Sequence, residues 1–191
     1  MKNAIFAKVQ DYPFWKKLLG LGFAVSGLIW INGILDASYA ASKFPVSFFV
    51  GQTGFNAELI KEYYNYMLTQ HTLDTYWKTQ FIDFGFIGAT MLVGLFAGLV
   101  VAHLARSGSW GKKFAIFAGA AVVTGAVCDI IENLWSFVML SDPMGFADWI
   151  VLPYSAFASV KFALIALGMV SIFLALLLII VGRIVSRPAI G

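Results

Sequence analysis

The sequence predicts an all-α membrane protein, a four-helix transmembrane bundle with a small amphipathic helical cap on the outer side. Three observations predict it. The 191-residue chain is 60% hydrophobic and only 12% charged, where a soluble domain carries about 25% charged residues. Four apolar stretches, residues 18–35, 81–104, 114–140 and 150–182, approach or exceed the roughly 20 residues a helix needs to cross a bilayer. The cations outside these stretches gather on one side of the membrane that such spans would define. No internal repeat, low-complexity tract or soluble domain breaks the pattern, so residues 1–191 read as a single four-span membrane domain.

The first span follows Lys16 and Lys17. That pair, the apolar run and Ser38-Tyr39-Ala40 loosely fit a cleavable signal. The leading segment and the apolar run are both long for one, so a retained span is expected. The loop over residues 36–80 has structure of its own. Asn56 is placed to cap a helix from about Ala57 to Gln70, with Glu58 in its first turn. Leu59, Ile60, Tyr63 and Met67 share one face at helical spacing, and Glu58, Lys61, Glu62 and Asn65 take much of the rest. This helix reads as a lid on the bundle's end. Tyr63, Tyr64 and Tyr66 also suit the headgroup level of an interfacial surface. Thr72, with Asp74 two residues on, starts the second span's helix ahead of its apolar core, with Tyr76 and Trp77 as interfacial aromatics. The fourth stretch is overlong. Its first turns, around Pro153 and Tyr154, belong to the interface, and the span proper is closer to 160–181.

Charge placement gives orientation. Lys2, Lys8, Lys16, Lys17, Arg106, Lys112, Lys113, Arg183 and Arg187 fall on one side, with Asp11 the one acid among them. The other side carries Lys43, Lys61 and Lys78 against Asp36, Glu58, Glu62, Asp74, Asp142 and Asp148. The positive-inside rule then puts both termini in the cytoplasm. The basic excess is a topology signal. It does not suggest nucleic acid, because the cations are not interleaved with aromatics on one surface. Cys128 is the single cysteine and sits within a span, so no intrachain disulfide forms.

The candidate site is polar and lies inside the membrane. Cys128-Asp129-Ile130-Ile131-Glu132-Asn133 puts two carboxylates into the third span, and one ionised side chain at a bilayer centre costs roughly 2.5–3.5 kcal/mol on insertion scales. Membrane helices pack through small residues, which therefore mark the inward face. The stripes are Gly22, Ser26, Gly33 and Asp36 with Asn32 beside them; Asp83, Thr90 and Ala97 flanked by Gly94 and Gly98; Ala118, Ala121, Gly125, Asp129, Glu132 and Ser136; and Lys161, Gly168 and Ala175 with Ala158 and Ser171. Each stripe runs into a polar residue, so Asp36, Asp83, Asp129, Glu132 and Lys161 are all expected to face the interior. Depth agrees. Asp129 stands fifteen residues beyond Phe114, about 22 Å in at 1.5 Å per residue, and Asn32, Asp36, Asp83 and Lys161 fall in the same outer third.

A buried ion-pair network is the bland account of this set, with Lys161 on Asp129 or Glu132 and Asn133 bridging helices. The count argues for more. Four acids face one lysine, so a proton, a cation, water or a cationic ligand has to complete the site if all are ionised. Within the acidic set we expect Lys161 to pair mainly with Asp129, leaving Glu132 nearer the outer mouth. No zinc site is expected, because the outer third of the spans has no histidine. His103 belongs to the opposite end, and His71 to the outer loop. No nucleophile–histidine–acid set is visible. The inner halves carry no acidic or histidine relay for a proton conduit. Gly94 to Gly98 matches GxxxG and is read as packing within the bundle.

At Asp129-Ile130-Ile131-Glu132-Asn133-Leu134 the chain resembles a group of uncharacterised bacterial four-span membrane proteins with a D-x-x-E-N motif in the third span. The resemblance extends over Gly54-Phe55-Asn56-Ala57-Glu58, Tyr76 to Asp83, and the fourth span around Lys161. It implies a four-helix membrane fold and that these polar positions act together. It implies no activity, cofactor or substrate.

The expectation is a small integral protein of a bacterial inner membrane, a binding or assembly subunit with an outward-facing acidic pocket. Asp83, Asp129, Glu132, Asn133, Lys161, Asn32 and Asp36 form the pocket, which takes a lipid, a lipid-soluble small molecule or a helix of another membrane subunit. The alternatives are a membrane enzyme using carboxylate acid/base chemistry on a lipid-soluble substrate, and a cation-binding or transport element.

Overall fold

The computed structural model describes residues 12–185; Lys2, Lys8, Asp11 and Arg187 of the charge pattern lie outside the described residues. Six α-helices follow in order: α1 Phe14–Ser42, α2 Phe48–Gln52, α3 Ala57–Thr69, α4 Leu73–Leu104, α5 Trp110–Ser141 and α6 Val151–Val185. A 3-10 turn, Asp148–Ile150, leads into α6, and the described residues contain no strand. Helices α1, α4, α5 and α6 are each long and apolar enough to cross a membrane. The architecture is that of an integral membrane helical bundle.

The long helices overrun their apolar cores, for local reasons. Helix α1 runs unbroken through Ser38-Tyr39-Ala40 and stops at Lys43, which turns left-handed at φ 56°. Helix α4 starts at Leu73, behind Thr72. The Thr72 hydroxyl does not cap it; it turns back to the Met67 carbonyl. Ser109 caps α5 by accepting from the Lys112 amide. Helix α6 is continuous from Val151 because Pro153 falls in the first turn, where no amide hydrogen is needed.

The four long helices do not form a closed ring. Helix α1 packs on α4, α4 on α5, and α5 on α6, while α4 and α6 touch more lightly. Helices α1 and α6 are not packed on each other, so the bundle is open along that side. The α4–α5 contact is the closest. A β-carbon on Gly98 would stand 2.9 Å from the Ala115 carbonyl oxygen, and one on Gly119 would stand 3.0 Å from that of Gly94. The Gly94–Gly98 pair thus serves packing within the chain, as the sequence suggests. On the α5–α6 side, Gly125 and Gly168 do the same against Lys161 and Ala118 backbone.

One end is marked by Lys17, whose Nζ lies 3.4 Å from His103 Nδ1, and by Arg183, which donates to the Leu104 carbonyl. The other end carries the cap. Asn56 accepts from the Leu59 amide and starts α3 as its sequence requires. The buried side of α3 is Ile60, Tyr64 and Met67, and Leu59 is exposed. Tyr64 therefore does not sit at headgroup level. It is 1% exposed, packed with Tyr76, Met139, Phe146 and Tyr154 in a hydrophobic core above the bundle. The reason is geometric. Ile60, Tyr64 and Met67 are spaced four and three apart, so they share the helix face that packs on the bundle.

Candidate functional site

Each of α4, α5 and α6 delivers part of the cluster. On α5, Asp129, Glu132 and Asn133 fall within five residues, so both carboxylates and the amide project from about one helical turn. On α6, Lys161 stands seven residues before Gly168, which lets α6 approach α5 closely. Its Nζ donates to Asp129 Oδ1 at 2.5 Å and to Glu132 Oε2 at 2.6 Å. On α4, Asp83 accepts from Asn133 Nδ2 at 2.6 Å, and it is near enough to Asp129 and Lys161 to feel both charges. Asp83, Asp129, Glu132, Asn133 and Lys161 are all buried.

Lys161 does not pair mainly with Asp129, as the sequence led us to expect: the ammonium bridges both carboxylates at nearly equal distance. Glu132 is also not nearer an open mouth. It is 0% exposed, as is Asn133, whereas Asp83 and Asp129 keep 8% and 6%. The cause is the cap. Tyr64 from α3, Tyr76 from α4 and Tyr154 from α6 all interact electrostatically with Glu132, and each is almost wholly buried. Burial also raises the Tyr64 phenol above the ordinary tyrosine range, with the Ser136 hydroxyl acting in the opposite direction. Tyr64 is therefore a neutral hydrogen-bonding group at any physiological pH.

Asn32 and Asp36 do not join the cluster. They bond each other, Nδ2 to Oδ2 at 2.8 Å, one turn apart along α1. Gly22, Ser26, Gly33 and Asp36 are all exposed, and a β-carbon on Gly22 or Gly33 would meet nothing within 4 Å. The small-residue rule fails for α1 because its glycine and serine stripe is turned away from α4, the one long helix packed along it. Its contact with α4 is made by large residues seated on glycines: Ile31 over Gly85, and Phe96 of α4 over Gly20. For α5 and α6, which pack closely on each other, the stripes mark the buried face as expected. His71 lies in the exposed turn between α3 and α4.

Sequence reasoning missed Gln80 and the three tyrosines. Gln80 Nε2 donates to Ser136 Oγ at 2.9 Å, just above Asn133. The signal was present: Tyr76, Gln80 and Asp83 are spaced four and three apart, which is one helix stripe.

Two acceptors in the centre are left over. Glu132 Oε1 and Asn133 Oδ1 are buried with no hydrogen-bond partner. Two carboxylates share one ammonium, and a third, Asp83, lies beside them on Asn133. Buried polar atoms are rarely left unpaired, because an unmade bond costs about 1–3 kcal/mol. Among the described residues no group of three His, Cys, Asp or Glu side chains is arranged to hold a metal ion. The cation between Asp129 and Glu132 is Lys161 itself.

No protein-family model matches the chain, and no curated protein or solved structure is significantly similar to it.

Proposed function

We propose that this is a small membrane binding subunit whose buried acidic cluster receives a hydrogen-bond-donating group of a lipid or lipid-soluble molecule. One observation carries the reading. Glu132 Oε1 and Asn133 Oδ1 are unpaired acceptors at the focus of Asp83, Asp129, Glu132 and Lys161. A purely structural ion pair would leave no reason to keep a third carboxylate and two orphaned oxygens in an apolar bundle. The polarity of the chain supports a companion proposal, that both termini face the cytoplasm of a bacterial inner membrane and the cap faces outward. Arg106, Lys112, Lys113 and Arg183 gather at the uncapped end, and Glu58, Glu62, Asp142 and Asp148 at the capped end.

The test is Glu132→Gln, which keeps shape and hydrogen-bonding capacity but removes the charge. The variant should fold, and native mass spectrometry from mild detergent should show loss of a small component retained by the wild type. A wild type that retains no more than the variant would overturn the reading.

A further inference from the structure

The cap closes the direct way to the cluster from the loop side, so whatever reaches it must arrive sideways. Between α1 and α6, where the bundle is open, a cavity of about 430 Å³ lies in the apolar region. Leu28 of α1, Thr90 and Ala97 of α4, Val122 of α5, and Ile165 and Met169 of α6 line it. Its size falls within the range of small-molecule sites, about 300–1,000 Å³. Thr90 Oγ1 is buried there without a partner.

The cavity and the cluster share a register. Thr90 is seven residues from Asp83, Val122 seven from Asp129, and Ile165 four from Lys161. These three lining residues thus stand one or two turns below a charged residue of their own helix, about 6–10 Å at 1.5 Å per residue. By that register the acidic cluster lies beyond the outer end of the cavity, on the same three helices. The remaining accessibility of the cluster is at Asp83 and Asp129, while Glu132 and Asn133 are fully buried. Helix α2 spans the top of the opening. Phe48 stacks on Tyr39 of α1 with centroids 3.6 Å apart, and Phe49 meets Phe162 of α6 edge-on at 5.1 Å.

We propose that the cavity holds the apolar chain of a single-chain amphiphile whose cationic amine head docks against Asp83 and Asp129. The proposal rests on the binding reading above and adds the ligand's class and its route. Charge complementarity selects the amine. Asp83 and Asp129 are the two carboxylates that keep some exposure, the lone ammonium of Lys161 is already shared by Asp129 and Glu132, and the unpartnered atom in the cavity, Thr90 Oγ1, is an oxygen. An ammonium brings positive charge and N–H donors together. A carboxylate or phosphate head would meet like charge and no free donor other than a threonine hydroxyl.

The experiment uses the full chain in phosphatidylcholine nanodiscs and a dodecylamine carrying a diazirine at the far end of its chain. Irradiation should label peptides containing Thr90 to Ala97 and Ile165 to Ile172. Excess dodecylamine should abolish that labelling at concentrations at least tenfold below those needed for dodecanol, and dodecanoate should not compete. Asp83→Asn should weaken competition by the amine at least tenfold. Ala97→Leu, which fills the cavity, should remove the labelling; Leu28→Trp, at the partly exposed wall, serves if that variant does not fold. Labelling spread evenly over the lipid-facing turns of α6, or competition indifferent to head charge, overturns the proposal. If Glu132→Gln loses its bound component while the cavity variants keep theirs, the acidic site stands and the cavity route falls. If the cavity labels but neither Asp83→Asn nor Glu132→Gln changes competition, the acidic-site reading falls and this proposal falls with it.

Discussion

Lys161 Nζ lies 2.6 Å from Glu132 Oε2, while the other oxygen of the same carboxylate has no partner. One group therefore both anchors α6 to α5 and keeps an unused acceptor in the apolar interior. A buried ion pair contributes little net stability, because desolvation offsets the attraction, but losing one partner leaves the other charge uncompensated.

Lys161→Met should for that reason cost about 3–5 kcal/mol. Asp129 and Glu132 would both be stripped of their cation. Adding Asp129→Asn and Glu132→Gln to Lys161→Met should recover more than half of that loss, since three neutral groups replace two lone charges. Melting in detergent measures the series. Losses that simply add would mean the lysine is not the common partner of the two acids.

Much of this arrangement was legible. The four apolar stretches, the Asn56 cap and the inward faces of α5 and α6 follow from local rules, because each of those helices meets its neighbours along a small-residue stripe. The α1 face was not legible. A stripe of glycine and serine marks a close contact only if a helix lies against it, and the one long helix packed on α1 is engaged through Ile31 and Phe96 instead. The sharing of Lys161 was also hidden, because spacing says which residues meet but not how one ammonium divides between two oxygens one turn apart. The sealing of Glu132 depends on how α3 folds back over the bundle, a long-range contact that no periodicity reports.

Gly98→Val should disrupt the bundle more than any single change in the lipid-facing surface. Its side chain would enter the space held by the Ala115 carbonyl and the Gly119 backbone, neither of which can rotate away. Without a hydrophobic force between helices in lipid, that close approach is the main attraction between α4 and α5. The expected result is loss of the monodisperse folded species on size-exclusion chromatography. Gly22→Val, which meets nothing within 4 Å, is the control and should leave the profile unchanged.

Orientation is tested at two exposed loop positions in a Cys128→Ala background. Ser107 lies between α4 and α5, and Met144 is 50% exposed between α5 and α6. Ser107→Cys should react with an impermeant maleimide only after the membrane is opened, and Met144→Cys should react in intact cells. Gly111 and Gly145 are poorer probes, since a side chain at either would crowd Ile179 or the Asp142 carboxylate. The reverse labelling pattern would place the cap in the cytoplasm and invert the proposed topology.

His71 is the position where a substitution should improve the fold. Helix α3 ends in a Schellman motif: the Thr72 amide donates to the Met67 carbonyl and the His71 amide to that of Leu68. His71 occupies the left-handed residue of that motif at φ 55°, a conformation that crowds a β-carbon and usually falls to glycine. It is exposed, so its ring contributes little packing. His71→Gly should therefore stabilise the protein by about 0.5–1 kcal/mol, the relief of the left-handed penalty less glycine's extra chain entropy. Thr69→Gly, inside the last turn of α3, should instead destabilise by up to about 1 kcal/mol. Both are read as melting shifts, together with the bound component followed in the Glu132→Gln test. A gain in stability with binding unchanged would make His71 a turn residue only. A loss of the bound component in His71→Gly would bring the outer loop back into the site, since the backbone of the motif is preserved and only the imidazole has gone.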